Sequence, residues 1–182
     1  MKKFLLLLGL LPSIAAAQQV SAPSASSVTT VATTGSVALT GVGSNSETNL
    51  AALKIPAGSL GTNGSMWVSC LWSYTNSSNA KTMTIRYTTA SGAVTGGVLG
   101  TALSATTTAA AETLNIIREN NATNAQLAWA QAGNTPFNTG GTTASVLSVD
   151  TTQDSYININ GTLANTGETL TMQHCSVFIY KN

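Results

Sequence analysis

The chain has 182 residues, of which 7% are charged, and its formal net charge is +1 at pH 7. An average soluble domain carries about 25% charged residues, so Thr, Ser, Asn, Gly and Ala must supply most of the polar surface here. Without Lys2 and Lys3, five basic residues face six acidic ones, which leaves no basic surface for a phosphate backbone and argues against a nucleic-acid partner.

Lys2 and Lys3 precede the apolar run Phe4 to Leu11, followed by Pro12, Ser13, Ile14 and Ala15-Ala16-Ala17. A basic start, a short apolar stretch and a small-x-small site make residues 1–17 a signal-like segment, with cleavage expected after Ala17. The stretch is too short for a stable membrane span across roughly 30 Å of hydrocarbon. The other reading is an arm that is kept and packs in an assembly. Residues 18–35 are rich in Ser, Ala, Thr and Val, with Pro23 and no charge. They read as an extended linker or arm whose Val and Thr residues are able to add an edge strand to a neighbouring subunit.

From Ser36 the pattern becomes one of short alternating runs. Val37 and Leu39 open it, Gly43-Ser44-Asn45 turns the chain, and Thr48 to Ile55 forms a second strand that Pro56-Ala57-Gly58 ends. Met66, Val68, Cys70, Trp72 and Tyr74 then alternate against Trp67, Ser69, Leu71 and Ser73; after Thr75 to Ala80, Met83, Ile85 and Tyr87 alternate in Lys81 to Thr88. This pair of runs is the densest core material in the chain and predicts a β-hairpin. Ala90 to Gly97 is Gly-rich and reads as loose. Val98 to Leu103 is a weak strand and Thr106 to Ala111 a polar connector. Glu112 to Glu119 is a strand, with a short helix as the alternative; Ala125 to Gln131 follows, with Leu127 and Trp129 on one face. Gly133 to Gly141 is a long loop, Ala144 to Val149 a strand, and Tyr156 to Leu163 and Thr169 to Tyr180 the last two strands. Roughly nine or ten strands, spaced about ten residues apart, predict an all-β antiparallel sandwich, jelly-roll-like, over residues 36–182. The final strand is apolar on both faces near its end, with Val177 and Ile179 on one and Phe178 and Tyr180 on the other. One such face suffices for a sandwich, so the second is expected to cover another subunit.

The residues offer little for catalysis. His174 is the only histidine, and parity aims it away from Cys175. No nucleophile motif accompanies it. The two cysteines with one outward histidine do not supply the three or four ligands of a zinc site. Asp150 and Asp154 flank two threonines, which reads as a turn that caps its own amides rather than a calcium or paired-carboxylate site. No cofactor or metal is expected, nor any enzymatic activity. Cys70 and Cys175 both point inward by parity: they can form a disulfide if their strands are neighbours, or stay as two buried thiols. Trp67 and Leu71 on the polar side of their strand, Phe137 on the long loop, and Phe178 and Tyr180 are the candidates for a subunit or ligand contact. Exposed aromatics of this kind also suit stacking on sugar rings.

The segment Leu71-Trp72-Ser73-Tyr74-Thr75-Asn76-Ser77-Ser78-Asn79-Ala80-Lys81-Thr82 resembles a stretch in virion structural proteins of tailed bacteriophages. Glu47-Thr48-Asn49-Leu50 and Ile55-Pro56-Ala57-Gly58-Ser59-Leu60-Gly61 upstream, and Asp150 to Asp154 with Gly161 to Leu170 downstream, are similar to motifs that flank it in such proteins. The likeness runs from about Glu47 to the C-terminus. It implies a small β-sandwich of a tail fibre, tail tip or capsid decoration, commonly a homotrimer, with other virion proteins as partners and no catalytic residues. A secretion-type N-terminus departs from that pattern. It leaves two expectations: a virion protein tethered by its arm, or a secreted or surface lectin-like module that binds a host glycan.

Overall fold

The structure is a computed structural model that describes residues 28–33, 35–41, 45–99, 102–131 and 144–182. The signal-like segment 1–17 and Phe137 lie outside the described residues. Eleven strands are described: β1 (Val28–Ala32), β2 (Val37–Thr40), β3 (Thr48–Ile55), β4 (Ser65–Tyr74), β5 (Lys81–Thr88), β6 (Leu103–Ala105), β7 (Ala110–Glu119), β8 (Gln126–Gln131), β9 (Ser145–Leu147), β10 (Ser155–Leu163) and β11 (Thr169–Tyr180). They form two antiparallel sheets. The larger runs β1-β11-β4-β7-β8-β9, with β2 also paired to β11; the smaller runs β3-β10-β5-β6. Inward parities of both sheets supply one core, in which Met66, Val68, Trp72, Met172 and Val177 meet Met83, Ile85, Tyr87, Ile157 and Ile159. Burying each large apolar side chain contributes roughly 1.5–3 kcal/mol. The all-β antiparallel sandwich expected from the alternation is the observed architecture.

The expected β-hairpin is not formed. β4 lies in the larger sheet and β5 in the smaller, so residues 75–80 carry the chain across the core. Both runs do have one apolar face, but these faces meet across the sandwich instead of lying side by side. Residues 164–168 make the same crossing from β10 to β11. The two crossings run together, with Thr75 N donating to Thr169 O (3.0 Å) and Ala164 N to Ala80 O (3.1 Å). A buried ion pair locks them. The Lys81 ammonium, fully buried, donates to Ser77 Oγ (2.8 Å) and Asn79 O (2.7 Å) and lies 3.7 Å from Glu168. Ser77 and Asn79 also donate to Glu168, and their hydrogen bonds hold its carboxyl below the usual range. The period-two signal that suggested a hairpin cannot separate these outcomes, because side-by-side pairing and face-to-face packing use the same inward parity.

Three further expectations are corrected. Residues 28–32, read as part of an arm, form the edge strand β1 of the chain's own larger sheet, with Val31 opposite Val177 and partly buried against the core. The strand placed over Glu112–Glu119 is indeed a strand rather than a helix, but it starts at Ala110, and β6 falls at Leu103–Ala105 beyond the weak run at Val98. The Gly-rich stretch after β5 is pinned, not loose. Gly92 N donates to Asn158 Oδ1 (2.7 Å), while Asn158 and Asn160 amides donate to Ala90 O and Ala93 O. Arg86 adds a bond to Gly96 O (2.6 Å) and a two-pronged pair with Glu47. Burial alone would raise the Glu47 pKa, but hydrogen bonds from Arg86 and Asn160 and the Arg86 charge bring it below its ordinary value. Gly97 lets this stretch return to β5: its φ is +53°, and a Cβ there would sit 2.0 Å from Tyr87 O.

Cys70 and Cys175 face each other in register on neighbouring strands and are joined as a disulfide. One irregularity sets the parity of β11. The register shifts between Met172 and His174, so Leu170 and Met172 point inward before it and Cys175, Val177 and Ile179 after it.

Candidate functional site

The outer face of the larger sheet is where the remaining chemistry-bearing side chains collect. Alternation sends Trp67, Ser69, Leu71 and Ser73 of β4 outward because Met66, Val68, Cys70 and Trp72 fill the core. In β7 the inward side chains are Thr113, Asn115, Ile117 and Glu119, which leaves Leu114, Ile116, Glu112 and Arg118 on the outside. Two of the inward groups accept hydrogen bonds within the core. Trp72 Nε1 donates to Thr113 Oγ1 (3.1 Å), and Gln126 Nε2 donates to Glu119 (2.9 Å). Burial pushes the Glu119 carboxyl up to about 7, against the opposing bond from Gln126.

The registers stack these outward residues into rows across the strands. One row is Thr30, Phe178, Trp67, Ile116 and Trp129, from β1 through β11, β4 and β7 to β8. The next row is Ala32, Ser176, Ser69 and Leu114. On the other side of the bulky row lie Val28, Tyr180, Ser65, Arg118, Leu127 and Val146. Trp67 leans on Tyr180, with ring centroids 6.0 Å apart and planes tilted by 59°, a favourable edge-biased arrangement worth about 1 kcal/mol. Leu71 is 49% exposed, Trp129 39% and Phe178 36%. An isolated exposed apolar residue needs no explanation, whereas a row of four apolar side chains across β11, β4, β7 and β8 makes this face a candidate contact surface.

Charge is sparse on this face. Elsewhere Lys54 pairs with Asp154 (2.6 Å), Lys81 with Glu168 and Arg86 with Glu47. The face itself holds Glu112 at one end of β7, taking a hydrogen bond from Ser69 Oγ (2.7 Å), and Arg118 at the other. His174 is exposed beside Leu71 and bonds Ser176 Oγ (2.7 Å). Asp150 caps its own turn by accepting from Thr152 N and Oγ1, and Asp154 is held by Lys54 and Ala57 N. The two carboxylates therefore serve separate turns. Among the described residues no group of three or more His, Cys, Asp or Glu side chains could hold a metal.

Of the residues singled out by sequence, Trp67, Leu71, Phe178 and Tyr180 share this one face, while Cys70 and Cys175 lie beneath it in the core. Trp129, Ile116, Val146 and Val28 also belong to the face and were not singled out. The pairing of Leu127 with Trp129 on one parity was visible; what was missing was the inward polar set of β7, which turns Leu114 and Ile116 outward. No protein-family model matches this chain, and no curated protein matches it.

Proposed function

We propose that this chain is a non-enzymatic structural or attachment module of a phage-type particle, a homo-oligomeric β-sandwich tethered through the segment that precedes Val28. The observation that carries this reading is the contiguous aromatic and aliphatic band on one sheet face, with only Glu112 and Arg118 as charges along β7. A second support is the Cys70–Cys175 disulfide, which suits a protein that works outside the reducing cytosol. The ribbon made by β4–β5 and β10–β11, folded from one sheet to the other, favours a jelly-roll-like description.

The test is the protein's mass in solution together with the N-terminal sequence of the chain recovered from purified particles and from culture medium. An oligomer that co-purifies with particles and starts within residues 1–17 is the expected result. A monomer found only in medium and starting at Gln18 would sink the particle reading. It would favour the second reading, a secreted carbohydrate-binding module, for which the exposed Trp129 two strands from Trp67 is the specific support. That reading requires glycan-array binding that Trp67→Ala and Trp129→Ala abolish.

A further inference from the structure

We propose that the outer face of the larger sheet is occupied by a second copy of this chain, packed face to face about a two-fold axis that lies in the interface and runs across the strands. The proposal rests on the homo-oligomeric reading above and gives it a geometry.

Charge selects the axis. Glu112 and Arg118 sit on the same face of β7, six residues or about 20 Å apart. An axis along β7 would set Glu112 on Glu112 and Arg118 on Arg118, and one along β4 would set Glu112 over β11 at the level of His174, so neither pairs the two charges. An axis across the strands, midway between them, sets Glu112 of each copy against Arg118 of the other. The same residue pair is then used twice, as a two-fold interface demands.

Volume agrees with charge. The same axis exchanges the row that holds Phe178 and Trp67 with the row that holds Ser176 and Ser69. On β11 and β4 the bulky side chains of one copy then meet small ones of the other, and on β7 Ile116 meets Leu114 as an aliphatic pair, in two sheet faces about 10 Å apart. Five strands and seven residues of β7 give a footprint on the order of 500 Å² per copy. Two such faces total about 1,000 Å², the lower limit for a specific interface. The dimer is therefore expected to be reversible and concentration-dependent.

A charge-swap series on the full chain, followed by sedimentation velocity up to about 100 μM, tests this. Both residues are exposed, so each variant should keep the wild-type circular dichroism. Glu112→Arg and Arg118→Glu each create like-charge contacts and are expected to weaken the dimer at least about tenfold. The double variant restores opposite charges and should return to within about threefold of wild type. Single variants without effect, or a double variant as weak as the singles, would overturn the proposal. So would a wild-type trimer insensitive to both swaps, although the particle-module reading would then stand. A wild-type monomer absent from purified particles would remove both.

Discussion

On the outer face of the smaller sheet, Asn158, Asn160 and Arg86 point away from the core and are covered by residues 89–98 of the same chain. On the outer face of the larger sheet, Phe178, Leu71 and Trp129 point away from the core and stay exposed. The same alternation builds both faces. The difference lies in what the outward side chains need. A buried amide or guanidinium must find partners for each donor, and a Gly-rich backbone segment supplies carbonyls at short range. An apolar ring needs only another apolar surface, which the chain's own backbone does not offer. One face is completed within the molecule, and the other keeps apolar side chains exposed.

Breaking the completed face should have the largest effect. Arg86→Met leaves Glu47 partly buried without its cation and frees Gly96 O, and is expected to cost about 3 kcal/mol of unfolding free energy in denaturant titration. Amide exchange at Gly92 should accelerate as the covering segment lifts.

The next effect lies beneath the open face, at Glu119. Burial raises its folded-state pKa to about 7 from the ordinary value of 4.5. The folded state holds this proton to higher pH than the unfolded chain. The stability it contributes is complete below about pH 4.5, declines as pH rises toward 7, and is level above that. The loss is on the order of 2–3 kcal/mol. Glu119→Gln should flatten that slope and give the more stable protein at pH 8, as measured by thermal unfolding at a series of pH values. Below pH 4 the slope should have the opposite sign, because Glu47 has a lowered pKa and destabilises the fold when protonated.

The smallest effect on stability should come from the open face itself. Phe178→Thr is expected to change unfolding free energy by less than about 1 kcal/mol while weakening self-association. A large stability loss would mean that the ring serves the fold of the single chain instead.

Much of this was legible in the residues. The runs Thr48–Ile55, Lys81–Thr88 and Thr169–Tyr180 coincide with β3, β5 and β11, because short alternating apolar runs bounded by turn residues leave little choice of period. Which strand neighbours which was not legible. Lys81 and Glu168 lock the two crossings from 87 positions apart, and neither residue type announces a buried pair. The register shift at Gln173 did leave a trace, since Leu170 and Met172 are out of phase with Cys175, Val177 and Ile179. The candidate face was half visible: Trp67 and Phe178 stood out as off-parity aromatics, whereas Ile116 could not be aimed without knowing that Thr113 and Glu119 take hydrogen bonds inside.

The place of β11 has a consequence for the order in which the fold is assembled. This last strand pairs with β1, β2 and β4, and β10 just before it pairs with β3 and β5. Until these two strands dock, β1, β2 and β3 have no strand partner and β5 has only the short β6, while β4 keeps its ladder to β7. Closing both sheets therefore depends on contacts of very long sequence separation, a topology that folds slowly. The Cys70–Cys175 disulfide belongs to the same late step, because Cys70 meets its partner only when β11 lies beside β4.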